Sequence, residues 1–175
     1  MKLPDFNHSD RYCVFQSGEN WFAWPSLAIR CVVPQRSVTL VPHSDPILDG
    51  ICYVQNEFVP VLNLRALMNV EYESEVEGER QLMIMLGSQG PWGLFIDRAI
   101  ALASLEISYS SFEQDGDGWS RVIIGSATYS KHVVQVMDSE AVYLYAARLL
   151  NMFWHDPVRH DSSTAPSSLE TSHAN

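Results

Sequence analysis

Apolar residues in this chain come in short runs closed by turn residues, a rhythm that belongs to β-strands. RYCVFQSGENWFAW reads as a first hairpin, with Tyr12, Val14 and Trp21 to Trp24 on the strands and Ser17-Gly18-Glu19-Asn20 as the turn. AIRCVVPQRSVTLVP supplies Val32, Val33, Val38, Leu40 and Val41, interrupted by Pro34 and closed by Pro42, and fits two short strands or one broken strand equally well. The most organised run is ICYVQNEFVPVLNLRAL, from Ile51 to Leu67. Its two β-branched and aromatic segments flank the polar Gln55-Asn56-Glu57 as a hairpin tip, with Pro60 inside the second segment. QLMIML, WGLFID and IALASL follow, separated by turn residues such as Ser88-Gln89-Gly90-Pro91. RVIIGSATYSKHVVQVM then repeats the hairpin plan, with Thr128 to Lys131 near its tip.

One segment departs from this rhythm. Val142, Tyr145, Ala146, Leu149, Leu150 and Phe153 are spaced i, i+3, i+4, i+7, i+8, i+11, as one face of a helix requires. Asp138 or Ser139 can cap its start and Pro157 ends it. Many short strands with proline breaks and one closing amphipathic helix predict a mainly β fold, a barrel or sandwich rather than a parallel sheet.

Composition narrows the possibilities. The 175 residues suit one domain, 46% apolar and 18% charged, and no apolar window approaches the roughly 20 residues of a membrane span. The start, MKLPDFNHSDRY, has no apolar core of a secretory signal, so a cytoplasmic protein is expected. Cys13, Cys31 and Cys52 sit among apolar neighbours without metal-clip spacing and read as reduced thiols. The net charge of −10, from 21 acidic against 11 basic residues, argues against nucleic acid as a partner. Glu71, Glu73, Glu75, Glu77 and Glu79 alternate in EYESEVEGE; on a strand they would repel one another on one face, so a solvated loop over 69–80 is expected, dividing the chain into two comparable halves. Residues 1–11 read as an extension, 12–155 as the folded unit, and 156–175, with HDSSTAPSSLETSHAN, as a disordered tail.

Candidate chemistry is sparse. EQDGDG imitates the first half of a calcium loop, but counting twelve positions from Glu113 arrives at Ile124, which cannot ligate a cation, so a polar turn is the better reading. None of the six histidines forms an HExxH pair, and no nucleophile elbow, Walker loop or dinucleotide fingerprint is present. Carboxylates such as Asp97 and Glu106 are not singled out by their context. Neither catalytic residues, metal ligands nor a cofactor are expected.

The Ile51–Leu67 run resembles the signature of the CheW domain of bacterial chemotaxis. Gly50-Ile51, the polar tip, Phe58-Val59-Pro60-Val61 and Asn63-Leu64-Arg65 match, without gaps, the family's Gly-Val-Ile-Asn-Leu-Arg-Gly, apolar residues, Pro-Val and Asp-Leu-Arg. VFQSGENWFAWP, Val41-Pro42, Gly93-Leu94-Phe95-Ile96-Asp97, Ile124-Gly125 and VVQVMDSEAV are similar to other family segments in the right order, from about Tyr12 to Leu150. The resemblance implies two packed five-stranded β-barrels and a non-enzymatic adaptor that couples the cytoplasmic tip of a chemoreceptor to the regulatory domain of a CheA-type histidine kinase. It points to Val54, Gln55, Asn56, Phe58 and Arg65 as protein-binding residues.

Two departures accompany the match. The family's Arg falls on Gln55 and its turn glycine on Asn56, which removes a fixed charge but still permits φ > 0. In PSLAIRCVVPQR an acid usual in the family is missing, and Arg30 and Arg36 add positive charge. Both point to a divergent pathway. The alternative is a small-ligand-binding barrel with Trp21, Trp24, Trp92 and Trp119 as lining, against which stands plain core packing of the same tryptophans.

Overall fold

The structure, a computed structural model, describes residues 11–69, 79–109 and 118–155. Residues 1–10, most of the acidic run, the calcium-like EQDGDG turn up to Asp117, Pro157 and the tail lie outside the described residues, and Arg11, expected in the extension, opens the first strand. The strands are β1 (Arg11–Ser17), β2 (Asn20–Pro25), β3 (Ile29–Pro34), β4 (Leu48–Val54), β5 (Glu57–Leu62), β6 (Gln81–Gly87), β7 (Gly90–Ile96), β8 (Arg98–Ser104), β9 (Ser108–Tyr109), β10 (Ile123–Tyr129) and β11 (His132–Met137). One helical turn, α1 (Leu64–Leu67), follows β5, and a longer helix, α2 (Ser139–Trp154), follows β11. Among the described residues no helix is long and apolar enough to cross a membrane.

Two sheets form, in the orders β8-β1-β2-β11-β10-β9 and β3-β6-β7-β5-β4. The expectation of two five-stranded barrels is corrected on two counts. One sheet has six strands, and the edge strands of neither sheet are paired with each other, so the pairing is not closed. The acidic segment also does not separate the sheets. The first hairpin, β1-β2, joins the six-stranded sheet through the parallel pair β2-β11, and β6-β7 joins the five-stranded sheet through β5-β7. A chain with matching hairpins in each half can exchange them while satisfying the same ladder bonds, which is why linear order misleads here.

The two sheets repeat one plan. Gly50 and Gly125 each lie at a bulge, opposite Val61 and Val136. Each lies beneath a crossing segment: a Cβ on Gly50 would overlap Thr39 O, and one on Gly125 would come within 2.6 Å of Ser108 O. Each hairpin is followed by a helix capped by a short polar side chain: Asn63 Oδ1 accepts from Ala66 N–H, and Asp138 Oδ1 from Glu140 and Ala141 N–H.

Alternating residues supply separate cores, which explains the unbroken apolar runs. In β6, Leu82 and Ile84 pack with Cys52, Val54, Val59 and Val61 inside the five-stranded sheet, while Met83 and Met85 point the other way. In β1, Val14 joins Ala23, Ala127, Val134 and Val136, while Cys13 and Phe15 join Met83 and Met85 in a shared core. That core is filled by Trp24 and Trp92, with ring centroids 5.9 Å apart and edge to face, and is covered by Val142 and Ala146 of α2. Burial pushes the thiol of Cys13, and to a lesser depth that of Cys52, up from the ordinary range, as expected of inert core cysteines.

Candidate protein-binding hairpin and groove

The β4-β5 hairpin closes through Gln55 and Asn56 at φ values of 50° and 66°, the two-residue turn whose twist matches that of paired strands. Asn56 tolerates this region and Gln55 is strained there, as Ser130 and Lys131 are in the equivalent turn, because this turn type requires positive φ at both positions. Pro60 pairs with Ile51 and stands just before the parallel pairing with β7, which starts at Val61, so the missing N–H costs little on that flank.

Strand alternation sorts the predicted site residues. Cys52 and Val54 turn into the core, whereas Ile51 and Tyr53 face outward. Val54 departs from the expectation of an exposed contact residue: at 9% exposure it packs inside the five-stranded sheet and holds the hairpin from within. Gln55 and Asn56 are exposed at the tip, and Phe58, 77% exposed, lies against Tyr53, 59% exposed, at 5.1 Å between ring centroids. Arg65 is not part of this patch. It lies half-buried at the start of α1, 3.6 Å from Asp97 Oδ1.

Three features were not assigned from the sequence. Tyr53 doubles the aromatic patch, and outward parity from buried Cys52 would have found it. Arg30 and Glu57 form an ion pair between β3 and the tip, with side chains 33% and 47% exposed, and no sequence signal joins residues that far apart. Asp97, between β7 of one sheet and β8 of the other, accepts a hydrogen bond from Gly18 N–H at 2.6 Å besides facing Arg65. It fixes the crossing from sheet to sheet.

An apolar groove of about 390 Å³ lies between β3 and β8, one edge strand from each sheet. Cys13, Ile29, Val32, Ala99 and Ala101 line it, and the exposed Leu102 stands on its rim. A polar cavity of about 310 Å³ lies elsewhere, near α1. None of the four tryptophans lines either space: Trp24 and Trp92 are core, Trp21 stacks on His132 at 3.9 Å, and Trp119 leans on Tyr145. Among the described residues no group of three or more His, Cys, Asp or Glu is placed to hold a metal ion.

The site thus comprises a doubled sheet-and-hairpin plan, exposed aromatics at one tip and an apolar groove between the sheets. The sequence matches the CheW-like domain model over residues 11–144, and the chain belongs to that family. Among solved structures, the scaffolding protein TtCheW from Thermoanaerobacter tengcongensis shares the fold, with a TM-score of 0.66 at 14% identity over 77% of this chain and 92% of that one. No curated protein matches the sequence.

Proposed function

We propose that this protein is a cytoplasmic, non-enzymatic adaptor of chemotaxis-type signalling that binds the regulatory domain of a CheA-type histidine kinase and the cytoplasmic tip of a chemoreceptor. The observation that carries the reading is the Tyr53–Phe58 pair, two large aromatic rings on the outer face of a hairpin whose inner face is fully packed. Exposed aromatics with a polar rim, here Gln55, Asn56 and the Arg30–Glu57 pair, are the composition of an interface hot spot. The hairpin takes the kinase domain. The β3-β8 groove takes the receptor, whose helical hairpin offers apolar side chains at i, i+3 and i+4 to such a cleft. Membership of the CheW-like family and the scaffold role named for TtCheW support the same reading.

Calorimetry with a CheA-type regulatory domain and a receptor tip from the same genome tests it. Phe58→Ser is expected to weaken kinase binding at least ~30-fold, a hot-spot loss of about 2 kcal/mol, while leaving the receptor interaction unchanged. Ala101→Trp, which fills the groove, is expected to do the reverse. Gln55→Arg, restoring the charge usual in the family, is expected to strengthen binding. Wild-type protein that binds neither partner would reject the adaptor role.

A further inference from the structure

The polar cavity has no part in this adaptor reading. Ser17, Asp49, Asn63, Arg65, Arg80 and Asp97 line it, and its roughly 310 Å³ stands at the lower end of the range found for small-molecule sites. Arg65 and Asp97 face each other, and Asp97 also holds Gly18 N–H. The other two charges are not joined. Arg80 lies over the ring of Phe95, 5.0 Å from its centroid, and among the described residues no carboxylate comes within the 4.0 Å of an ion pair. Asp49 accepts a hydrogen bond from Asn63 Nδ2 at 2.9 Å, and no cation of the described residues reaches it either.

A guanidinium and a carboxyl thus border one half-open cavity without touching. Desolvation pushes the Asp49 carboxyl up from its ordinary range, with the Asn63 hydrogen bond and the more distant Arg80 charge pulling the other way. The second half of the chain does not repeat the arrangement. At the positions equivalent to Asp49 and Arg65 it carries Ile124 and Glu140, and Glu140 turns onto its own chain, accepting from Ser88 N–H and Oγ–H.

We propose that the cavity binds a small zwitterion of α-amino-acid size, its carboxylate against Arg80 and its ammonium against Asp49. A ligand carrying both charges completes both groups at once. A simple anion or cation completes one and leaves the other without a counter-charge. Asp49, Asn63 and Arg65 come from β4 and the start of α1, Ser17 from the other sheet's first hairpin and Asp97 from the crossing, so the ligand would touch both sheets.

The test is a titration of the ¹⁵N-labelled full chain with glycine, alanine and glutamate, with acetate and methylammonium as single-charge controls, following the Asn63 side-chain amide and Arg80 Nε. Saturable shifts at both groups are expected with a zwitterion, and binding at least ~10-fold weaker for each control and for Arg80→Gln or Asp49→Asn, the loss of one charge-assisted contact. Phe58→Ser, remote from the cavity, is expected to bind the zwitterion as the parent does, so this outcome is independent of kinase binding. Absence of saturable shifts throughout the millimolar range would overturn the proposal. So would acetate binding as tightly as glycine with Asp49→Asn without effect, which would mark a plain anion site.

Discussion

The two sheets differ least where the backbone is constrained and most where it meets solvent. Both place a glycine at the bulge beneath a crossing strand, a glycine-free tight turn at the hairpin tip, and an Asn or Asp cap on the helix behind. Yet Tyr53 and Phe58 on one hairpin correspond to Thr128 and Val133 on the other, and Asp49 corresponds to Ile124. The helix differs too: one turn in α1, 16 residues in α2, which lies over the shared core. Constraints of folding repeat because each half must solve the same packing problem. Surface chemistry is not repeated, so both proposed sites fall where equivalent positions disagree.

Independence of the two sheets can be broken first at their common core. Trp24→Ala removes a fully buried ring that touches Phe15 and Trp92, and is expected to cost about 3–5 kcal/mol. Because both sheets line that core, calorimetry should show one transition at lower Tm. Two separated transitions would mean that the sheets melt as independent units. The bulge glycines come next. Gly125→Ala is an overpacking problem worth about 1–3 kcal/mol against Ser108 and Tyr109. Gly50→Ala adds to the same problem a φ of 138°, and is expected to cost roughly 1–2 kcal/mol more in chemical denaturation. Equal losses would show that the first crossing segment, around Thr39, yields more easily than β9.

Much of this repeat was legible in the sequence. Polar residues between apolar runs gave the hairpin tips, at Gln55-Asn56-Glu57 and within Thr128 to Lys131, and the spacing from Val142 to Phe153 gave α2, whose cap, open between Asp138 and Ser139, is Asp138. Sheet membership was not legible, because nothing local tells β1-β2 that its parallel neighbour is β11 rather than β5. The likeness to a family signature named both Phe58 and Val54, of which Phe58 is exposed and Val54 buried: hydrophobicity alone does not tell the inward residue from the outward one, and the alternation from Gly50 to Val54 does. The polar cavity was invisible for the reason that hides most sites. Its Asp97 meets Gly18 across 79 residues, and Arg80 stands at the end of a run read as a solvated loop.

The bulge position itself offers a pH comparison. Asp49 is desolvated, so its folded pKa lies above the unfolded value, and its contribution to stability is full below the unfolded pKa and is lost as pH rises through the folded one. Asp49→Asn keeps an oxygen to accept from Asn63 and is expected to raise Tm at neutral pH, with the gain shrinking to nothing in acid. Ile124 has no proton to lose, and Ile124→Val should shift Tm equally at both pH values.

The smallest expected effects lie in the turns, where the halves can be compared atom for atom. Lys131 has a φ of 73° and Asn56 a φ of 66°, both in the left-handed region. Lysine carries the full penalty of its Cβ there, while asparagine is among the few side chains that enter the region readily. Lys131→Gly is therefore expected to stabilise by roughly 0.5–1 kcal/mol, and Asn56→Gly by only a few tenths, because the extra unfolded-state entropy of glycine offsets most of so small a relief. Denaturant midpoints at constant m-value measure both. If Asn56→Gly were the more stabilising of the two, the strain would reside in the tip next to Tyr53 and Phe58 rather than being shared by the repeat, and relaxing it should then weaken the kinase binding proposed for this hairpin without loosening the fold.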